Sequence, residues 1–146
     1  MSILIPAYNE ASTIHLILNK LKTVVLPNGI TKEIIIENDY SSNDTVLKIE
    51  KYRANNADMT TQLYYQEKIM GKGAATHKIV ELATGEYLII HDADLAFDPE
   101  EYNLLLKAIL TGFTDIVYGS TFIVRNPNKI LFILRSIGNK VFDKPL

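Results

Sequence analysis

The sequence predicts an α/β protein whose sheet is mostly parallel and covered by helices on both faces. Two observations lead to this fold class. Short runs of β-forming apolar residues alternate along the chain with segments in which apolar residues recur at helical spacing. Polar residues also cluster directly after three of the short runs, and in such sheets ligands bind beyond the carboxyl ends of the strands.

Five strands are expected from the apolar runs. They cover residues 2–5, 33–36, 61–65, 87–90 and 115–118. Pro6 is expected to close the first strand, because proline has no N–H for the ladder. Residues 38–43 are expected to form a polar loop, and Pro27-Asn28-Gly29 a turn.

Four helices are expected between these strands. Asn9 or Ser12 caps the first helix, whose apolar face consists of Ile14, Ile17, Leu18 and Leu21. The second runs from Asp44 or Thr45 to about Tyr52, and the third from Gly71-Lys72-Gly73 to a left-handed glycine cap at Gly85. Pro99 starts the fourth, which buries Tyr102, Leu105, Leu106 and Ile109.

Composition excludes several classes of protein. The chain has 146 residues, of which 47% are hydrophobic and 22% charged, as expected for one globular domain. A net charge of −2 gives no reason to expect a nucleic-acid partner. The absence of cysteine excludes disulfides and Cys-ligated zinc. We expect neither a signal peptide nor a transmembrane span, and a cytoplasmic location.

The strongest chemical signal is Asp92-Ala93-Asp94, which follows the strand at 87–90. Side chains two residues apart in a strand point to the same face, so both carboxylates can turn toward one point. Such a point suits Mg²⁺ or Mn²⁺, which prefer oxygen ligands and keep positions open for phosphates. Asp92 and Asp94 are therefore the candidate metal ligands and catalytic residues. Two solvated acids at a loop start are the structural alternative.

Three other clusters offer groups that a nucleotide could use. Tyr8 and Glu10 follow the first strand, where they could pack on a nucleoside and accept from ribose hydroxyls. Glu37 and Asp39 place acceptors where the ring N–H of a base could be read. Lys72, between two glycines, could bring an ammonium and backbone N–H groups to a diphosphate. Taken singly, each cluster could equally be a cap or a turn.

Four motifs together resemble family 2 glycosyltransferases, whose GT-A fold is a Rossmann-like nucleotide-diphospho-sugar transferase fold. The closest resemblance is to dolichyl- or polyprenyl-phosphate mannosyl- and glucosyltransferases. In order, the motifs are Ile3-Leu4-Ile5-Pro6-Ala7-Tyr8-Asn9-Glu10, Glu33-Ile34-Ile35-Ile36-Glu37-Asn38-Asp39, Gly71-Lys72-Gly73-Ala74-Ala75 and Asp92-Ala93-Asp94-Leu95. Asp98-Pro99-Glu100-Glu101-Tyr102 and the residues at 115–120 extend the match.

The resemblance implies a metal-dependent, inverting hexosyltransferase that uses a GDP- or UDP-hexose and Mg²⁺ or Mn²⁺. The expected acceptor is a polyprenyl phosphate. The matching positions imply nucleoside contacts from Pro6, Tyr8, Glu10, Glu37 and Asp39, and contacts to diphosphate and metal from Asp92, Ala93 and Asp94. Ala7 and Lys72 complete the expected donor-binding set.

Two departures from the family pattern stand out. The family's Asp-Asp-Gly-Ser-x-Asp-Gly-Thr reads here as residues 38–45, with one acid and two glycines replaced. The family's Gly-Ser/Thr-Arg becomes Gly119-Ser120-Thr121, which removes a phosphate-binding arginine. Family members also continue beyond Leu146. We therefore expect a donor-binding domain at 1–121, followed by the start of an acceptor-side or membrane-side region at 122–146.

Residues 122–146 carry five basic residues against one acid, Asp143. The apolar stretch 129–142 could lie on an anionic membrane surface or form a helix under further sequence, and exposed it would favour a homo-oligomer. A peripheral position at the cytoplasmic membrane face would follow from the first alternative. Two other functions stay open: a catalytically inactive nucleotide-binding remnant, and a domain that reads a dinucleotide or phosphate effector.

Overall fold

A computed structural model describes residues 1–120 and 130–135 of the chain. From β1 to β5, strands and helices alternate as expected. The strands are β1 Ser2–Ala7, β2 Glu33–Asn38, β3 Thr61–Tyr65, β4 Tyr87–Ile90, β5 Ile116–Ser120 and β6 Ile130–Arg135. The helices are α1 Ile14–Thr23, α2 Thr45–Asn55, α3 Lys72–Leu82 and α4 Tyr102–Leu110, with short 3₁₀ turns at Pro27–Gly29 and Pro99–Glu101.

The strands form one six-stranded sheet in the order β3-β2-β1-β4-β6-β5. The first four strands in this order are parallel, and β6 runs antiparallel to both β4 and β5. The parallel strands β1 to β4 end at the same edge of the sheet, which we call the carboxyl edge. The α/β class with a mostly parallel sheet is confirmed.

Helices cover both faces of the sheet because its strands are apolar on both sides. One face presents Ile3, Ile5, Ile34, Ile36 and Ile89. The apolar face of α1 and that of α4 pack in the same cluster, and their members are the ones expected from the periodicity: Ile14, Ile17, Leu18, Leu21, Tyr102, Leu105, Leu106 and Ile109. The opposite face presents Leu4, Ile35 and Leu88 to Ile79 of α3.

Three strands, β1, β2 and β5, are longer than the sequence predicts. Pro6 lies inside β1, which continues to Ala7. The carbonyl oxygen of Ala7 points toward β2, where it accepts from the Asp39 N–H at 2.9 Å. Backbone groups of successive strand residues point to opposite neighbours, so the backbone nitrogen of Pro6 points toward β4. The pairing of β1 with β4 ends at Leu4 and Ile90, two residues before Pro6. The missing N–H of proline therefore interrupts no hydrogen bond between paired residues of these strands. Likewise β2 includes Glu37 and Asn38.

Two expectations about helix ends are wrong. Neither Asn9 nor Ser12 caps α1, which begins after Thr13 and has no side-chain cap. Gly85 does not adopt the left-handed conformation, because α3 ends at Leu82 with an extended Ala83. Gly85 is needed for a different reason: a Cβ there would stand 2.6 Å from Ser2 Oγ and 2.7 Å from the Ser2 backbone nitrogen.

The expectation for the stretch 129–142 is also corrected. Residues 130–135 form strand β6 between β4 and β5, and Ile133 is fully buried opposite Ile89. A short apolar run fits an interior strand as well as a helix, and here residues 130–135 pair with a neighbouring strand on each side. Residues 121–129 and 136–146 lie outside the described part, as does most of the expected segment 122–146. Among the described helices, none combines the length and hydropathy needed to cross a bilayer.

Candidate functional site

The polar clusters after β1, β2 and β4 meet at the carboxyl edge. The strand register places Ala7 beside Asn38 and Leu4 beside Ile90, so the three loops that follow start from adjacent strands. The N-terminus of α3, at Lys72, reaches the same edge, where it contacts Asp92. All of the expected site residues therefore lie in these three loops, at the ends of their strands, or at the start of α3.

Asp92 and Asp94 keep the alternation of β4 beyond the end of the strand. His91 and Ala93 are buried, whereas Asp92 and Asp94 are partly exposed. This pattern leaves both carboxylates accessible on the open side of the loop. One oxygen of Asp94, Oδ1, accepts from the Ala96 N–H at 2.9 Å, which fixes the turn that carries it.

Lys72 forms an ion pair with Asp92. It is the first residue of α3, and the preceding Gly71 has φ +85°, a conformation that favours glycine. The Lys72 side chain is 61% exposed and the Asp92 side chain 26% exposed. The pair is thus accessible to an anionic ligand that could attract the lysine away from Asp92.

Asp39 is a support for the loop before α3. Its Oδ1 accepts from the Met70 N–H at 2.7 Å and its Oδ2 from the Gly71 N–H at 2.8 Å. The residue is only 4% exposed. A carboxylate held by two successive backbone N–H groups fixes the start of α3, and therefore the position of Lys72.

Glu37 is fully buried on the α3 side of the sheet. Its Oε1 accepts from Lys78 Nζ at 2.7 Å, and Lys78 also donates to the Tyr65 carbonyl at 2.9 Å. Within the described residues its other oxygen, Oε2, has no hydrogen-bond partner. Sequence analysis missed Lys78, although a buried carboxylate in a strand requires a cation nearby.

The loop after β1 is tied to the loop after β2. The Asn9 N–H donates to Ser41 Oγ at 2.9 Å, and Asn9 Oδ1 accepts from the Ser42 N–H at 2.9 Å. Asn9 thus joins two loops instead of capping α1. Glu10 Oε2 accepts from Thr13 Oγ1 at 2.6 Å, while the Tyr8 side chain is 46% exposed.

His91 points away from the two aspartates into the core. Its Nδ1 lies 2.6 Å from the Tyr102 hydroxyl, and its ring makes edge-to-face contacts with Phe97 and Tyr102. Burial lowers the pKa of His91 to about 4, against the opposing effect of nearby acids, chiefly Asp92 and Asp94. The imidazole is therefore neutral at pH 7 and supports the loop that carries the acids.

The donor set at Asp92 and Asp94 fits a hard divalent cation that is shared with a substrate. Within residues 1–120 and 130–135, no group of three or more His, Cys, Asp or Glu side chains is arranged to hold a metal by itself. Mg²⁺-type sites commonly use one or two carboxylates and take their remaining ligands from water and substrate phosphates. Two partly exposed carboxylates at the carboxyl edge meet this requirement.

Proteins of similar sequence are glycosyltransferases. Glycosyltransferase sll0501 of Synechocystis is 34% identical over 121 residues, covering 82% of this chain and 37% of that protein. The dolichol-phosphate mannosyltransferase of Pyrococcus furiosus is 27% identical over 123 residues, covering 84% and 33%. The chain therefore spans about a third of the length of these relatives.

Among solved structures, the mannosyltransferase PcManGT of Pyrobaculum calidifontis, in complex with GDP-Man and Mn²⁺, superposes with a TM-score of 0.75 at 18% identity. The match covers 92% of this chain and 44% of that one, and it shows a common GT-A fold. The model of the family "Glycosyl transferase family 2" matches residues 2–139. The chain belongs to glycosyl transferase family 2.

Proposed function

We propose that this chain is the donor-binding part of a metal-dependent, inverting hexosyltransferase that uses a GDP- or UDP-hexose. The observation that carries the proposal is the position of Asp92 and Asp94. They lie partly exposed at the carboxyl edge, which also carries the exposed Tyr8, and Asp92 pairs with Lys72, the first residue of α3. The carboxyl edge thus carries an aromatic ring that suits a base, a lysine at a helix N-terminus that suits a diphosphate, and two carboxylates that suit a metal.

The nucleoside is proposed to lie over the loop after β1. Tyr8 offers its ring to the base, Pro6 and Ala7 form the floor of the site, and Glu10 accepts from ribose hydroxyls. Asp39 and Glu37 are assigned mainly supporting roles, because both carboxylates are engaged with the α3 segment and buried. Each carboxylate oxygen of Asp39 keeps a second lone pair, which could accept a hydrogen bond from a base N–H.

The diphosphate is proposed to lie between Lys72 and the two aspartates, beside Ala93. Its charge would draw Lys72 away from Asp92 and free that carboxylate for the cation. Asp92 and Asp94 would hold Mg²⁺ or Mn²⁺, which would offset the charge of the departing nucleoside diphosphate. The presence of Mn²⁺ and GDP-Man in the PcManGT structure supports this assignment.

The acceptor is proposed to be a polyprenyl phosphate. Such an acceptor is already an anionic nucleophile, so transfer to it requires no general base. The similarity to a dolichol-phosphate mannosyltransferase supports this choice. Acceptor contacts are assigned to the region that starts at about residue 122.

Calorimetric titration of the whole chain with GDP, UDP, GDP-mannose and UDP-glucose, with Mn²⁺ or with EDTA, tests the proposal. We expect binding that requires Mn²⁺. Loss of a residue that only supports a metal ligand weakens metal affinity roughly 10- to 100-fold. Asp94→Asn, which removes a proposed ligand, should weaken nucleotide binding in the presence of Mn²⁺ by at least this factor.

Asp58→Asn is the matched control, because Asp58 is an exposed acid that precedes β3 and so lies at the opposite edge. It should bind like the wild type. Equal binding with Mn²⁺ and EDTA, or equal losses in the two variants, would contradict the proposal.

A further inference from the structure

Tyr40 has a backbone conformation that is unfavourable for its side chain. Its φ is +59°, in the left-handed region that glycine occupies freely and that bulky L-residues rarely adopt. The side chain gains little from burial in return, since the residue is 56% exposed. An unfavourable backbone conformation combined with an exposed aromatic ring suggests that the ring serves a ligand.

The hydrogen bonds on either side of Tyr40 keep it next to Tyr8. Below the two tyrosines, the Asp39 N–H donates to the Ala7 carbonyl at 2.9 Å. Above them, the Asn9 N–H donates to Ser41 Oγ at 2.9 Å. The backbones of Tyr8 and Tyr40 are therefore neighbours in the loops that follow two adjacent parallel strands, enclosed between these two hydrogen bonds.

Both rings are available at the carboxyl edge. Tyr8 is 46% exposed, and within the described residues neither tyrosine hydroxyl makes a hydrogen bond. No ring contact joins the two aromatic residues in this part of the chain. The loops are fixed by Asn9, so the two rings can meet a planar ligand without first ordering the backbone.

We propose that Tyr40 forms the second aromatic wall of the base-binding site, so that the base of the nucleotide lies against Tyr8 and Tyr40 together. This inference rests on the proposed function and deepens it. Stacking tolerates any base, because every base has a π-face. Tyr40 therefore adds affinity for either nucleotide, and more for guanine, whose ring system offers the larger stacking area.

The test compares Tyr40→Gly, Tyr40→Phe and the wild type in the whole chain. The ligands are GDP, UDP and inorganic pyrophosphate, each titrated with Mn²⁺. Tyr40→Gly should weaken GDP binding about 5- to 150-fold, the range of base–aromatic stacking, and UDP binding by a smaller factor. Pyrophosphate binding should not change, and Tyr40→Phe should bind like the wild type.

Two further measurements distinguish stacking from folding. The melting temperature of Tyr40→Gly should be no lower than that of the wild type, because relief of the left-handed strain offsets the greater freedom of the unfolded chain. Phe113→Ala is the matched control: Phe113 is 90% exposed before β5, at the opposite edge of the sheet. It should leave all three affinities unchanged.

The outcomes separate this inference from the proposed function. If the wild type binds GDP or UDP and Tyr40→Gly binds the same nucleotide equally well, the proposed stacking on Tyr40 is wrong. The proposed donor site is then unaffected. If Tyr40→Gly weakens pyrophosphate as much as GDP, Tyr40 shapes the loop and does not stack on the base. If the wild type binds neither nucleotide, both proposals fail.

Discussion

Burial determines which of the polar residues at the carboxyl edge can meet a ligand. Asp92 and Asp94 remain partly exposed because His91 and Ala93 take the buried positions between them. Glu37 and Asp39 are buried and serve α3 and its preceding loop. Residues of the same chemical type, all predicted to bind a nucleotide, thus divide into a partly exposed pair and a buried, supporting pair.

His91 makes the stability of the chain depend on pH. Burial keeps its pKa near 4 in the folded state, against 6.5 when it is exposed. Between these values the unfolded chain binds the proton more readily, so the free energy of unfolding falls as the pH drops from 6.5 to about 4. The loss expected from this group is about 3 kcal/mol.

Urea unfolding at pH 7 and pH 4.5, without metal, measures this dependence. His91→Gln, which cannot titrate but can still accept from the Tyr102 hydroxyl, should lose most of the difference between the two pH values. His77→Gln, at an exposed position of α3, should retain it. An unchanged pH dependence in His91→Gln would contradict the assignment of a buried, neutral imidazole.

At the scale of elements, the connection from α3 to β4 depends on a close approach of two backbones. Gly85 N–H donates to Ser2 Oγ at 2.8 Å, and a methyl group at position 85 would collide with the Ser2 backbone. We expect Gly85→Ala to lower the free energy of unfolding by about 1–3 kcal/mol. Chemical denaturation measures the change.

Gly73 provides the matched control for Gly85. It lies within α3, where an added Cβ would meet nothing within 4 Å. Gly73→Ala should leave stability unchanged or raise it by up to about 1 kcal/mol, because alanine favours helix. Similar destabilisation at both glycines would argue against the close approach at Gly85.

Strand β6 is held in the sheet by a buried isoleucine. Ile133 is fully buried and pairs with Ile89 on one side and Val117 on the other. Ile133→Ala should therefore cost about 2–5 kcal/mol in the free energy of unfolding, as truncation of a buried isoleucine does. A change near zero would contradict the buried position of Ile133 between β4 and β5.

Local patterns predicted the elements better than their ends. The spacing of Ile14, Ile17, Leu18 and Leu21 was sufficient for α1, because burial of one apolar face determines a helix. Pro6, Gly85 and β6 were misjudged because their roles depend on neighbouring strands that the local sequence does not reveal. The buried positions of Glu37 and Asp39 depend in the same way on α3, more than thirty residues away.

At the scale of the whole molecule, the sheet determines where chemistry can occur. Its four parallel strands end at one edge and bring together loops that are far apart in sequence. The family match covers residues 2–139, whereas the curated relatives are about three times longer than the matched region. Donor binding is accordingly the part of the transfer reaction that this chain is proposed to carry out.

The central claim is that Asp92 and Asp94 hold a divalent cation that in turn binds the diphosphate of a sugar nucleotide. A crystal structure of the whole chain with Mn²⁺ and GDP-mannose or UDP-glucose tests it most directly. We predict an anomalous manganese peak within bonding distance of both carboxylates, with the diphosphate on its open side and Lys72 moved from Asp92 to a phosphate. A carboxyl edge without manganese, or a nucleotide bound elsewhere on the molecule, would contradict the claim.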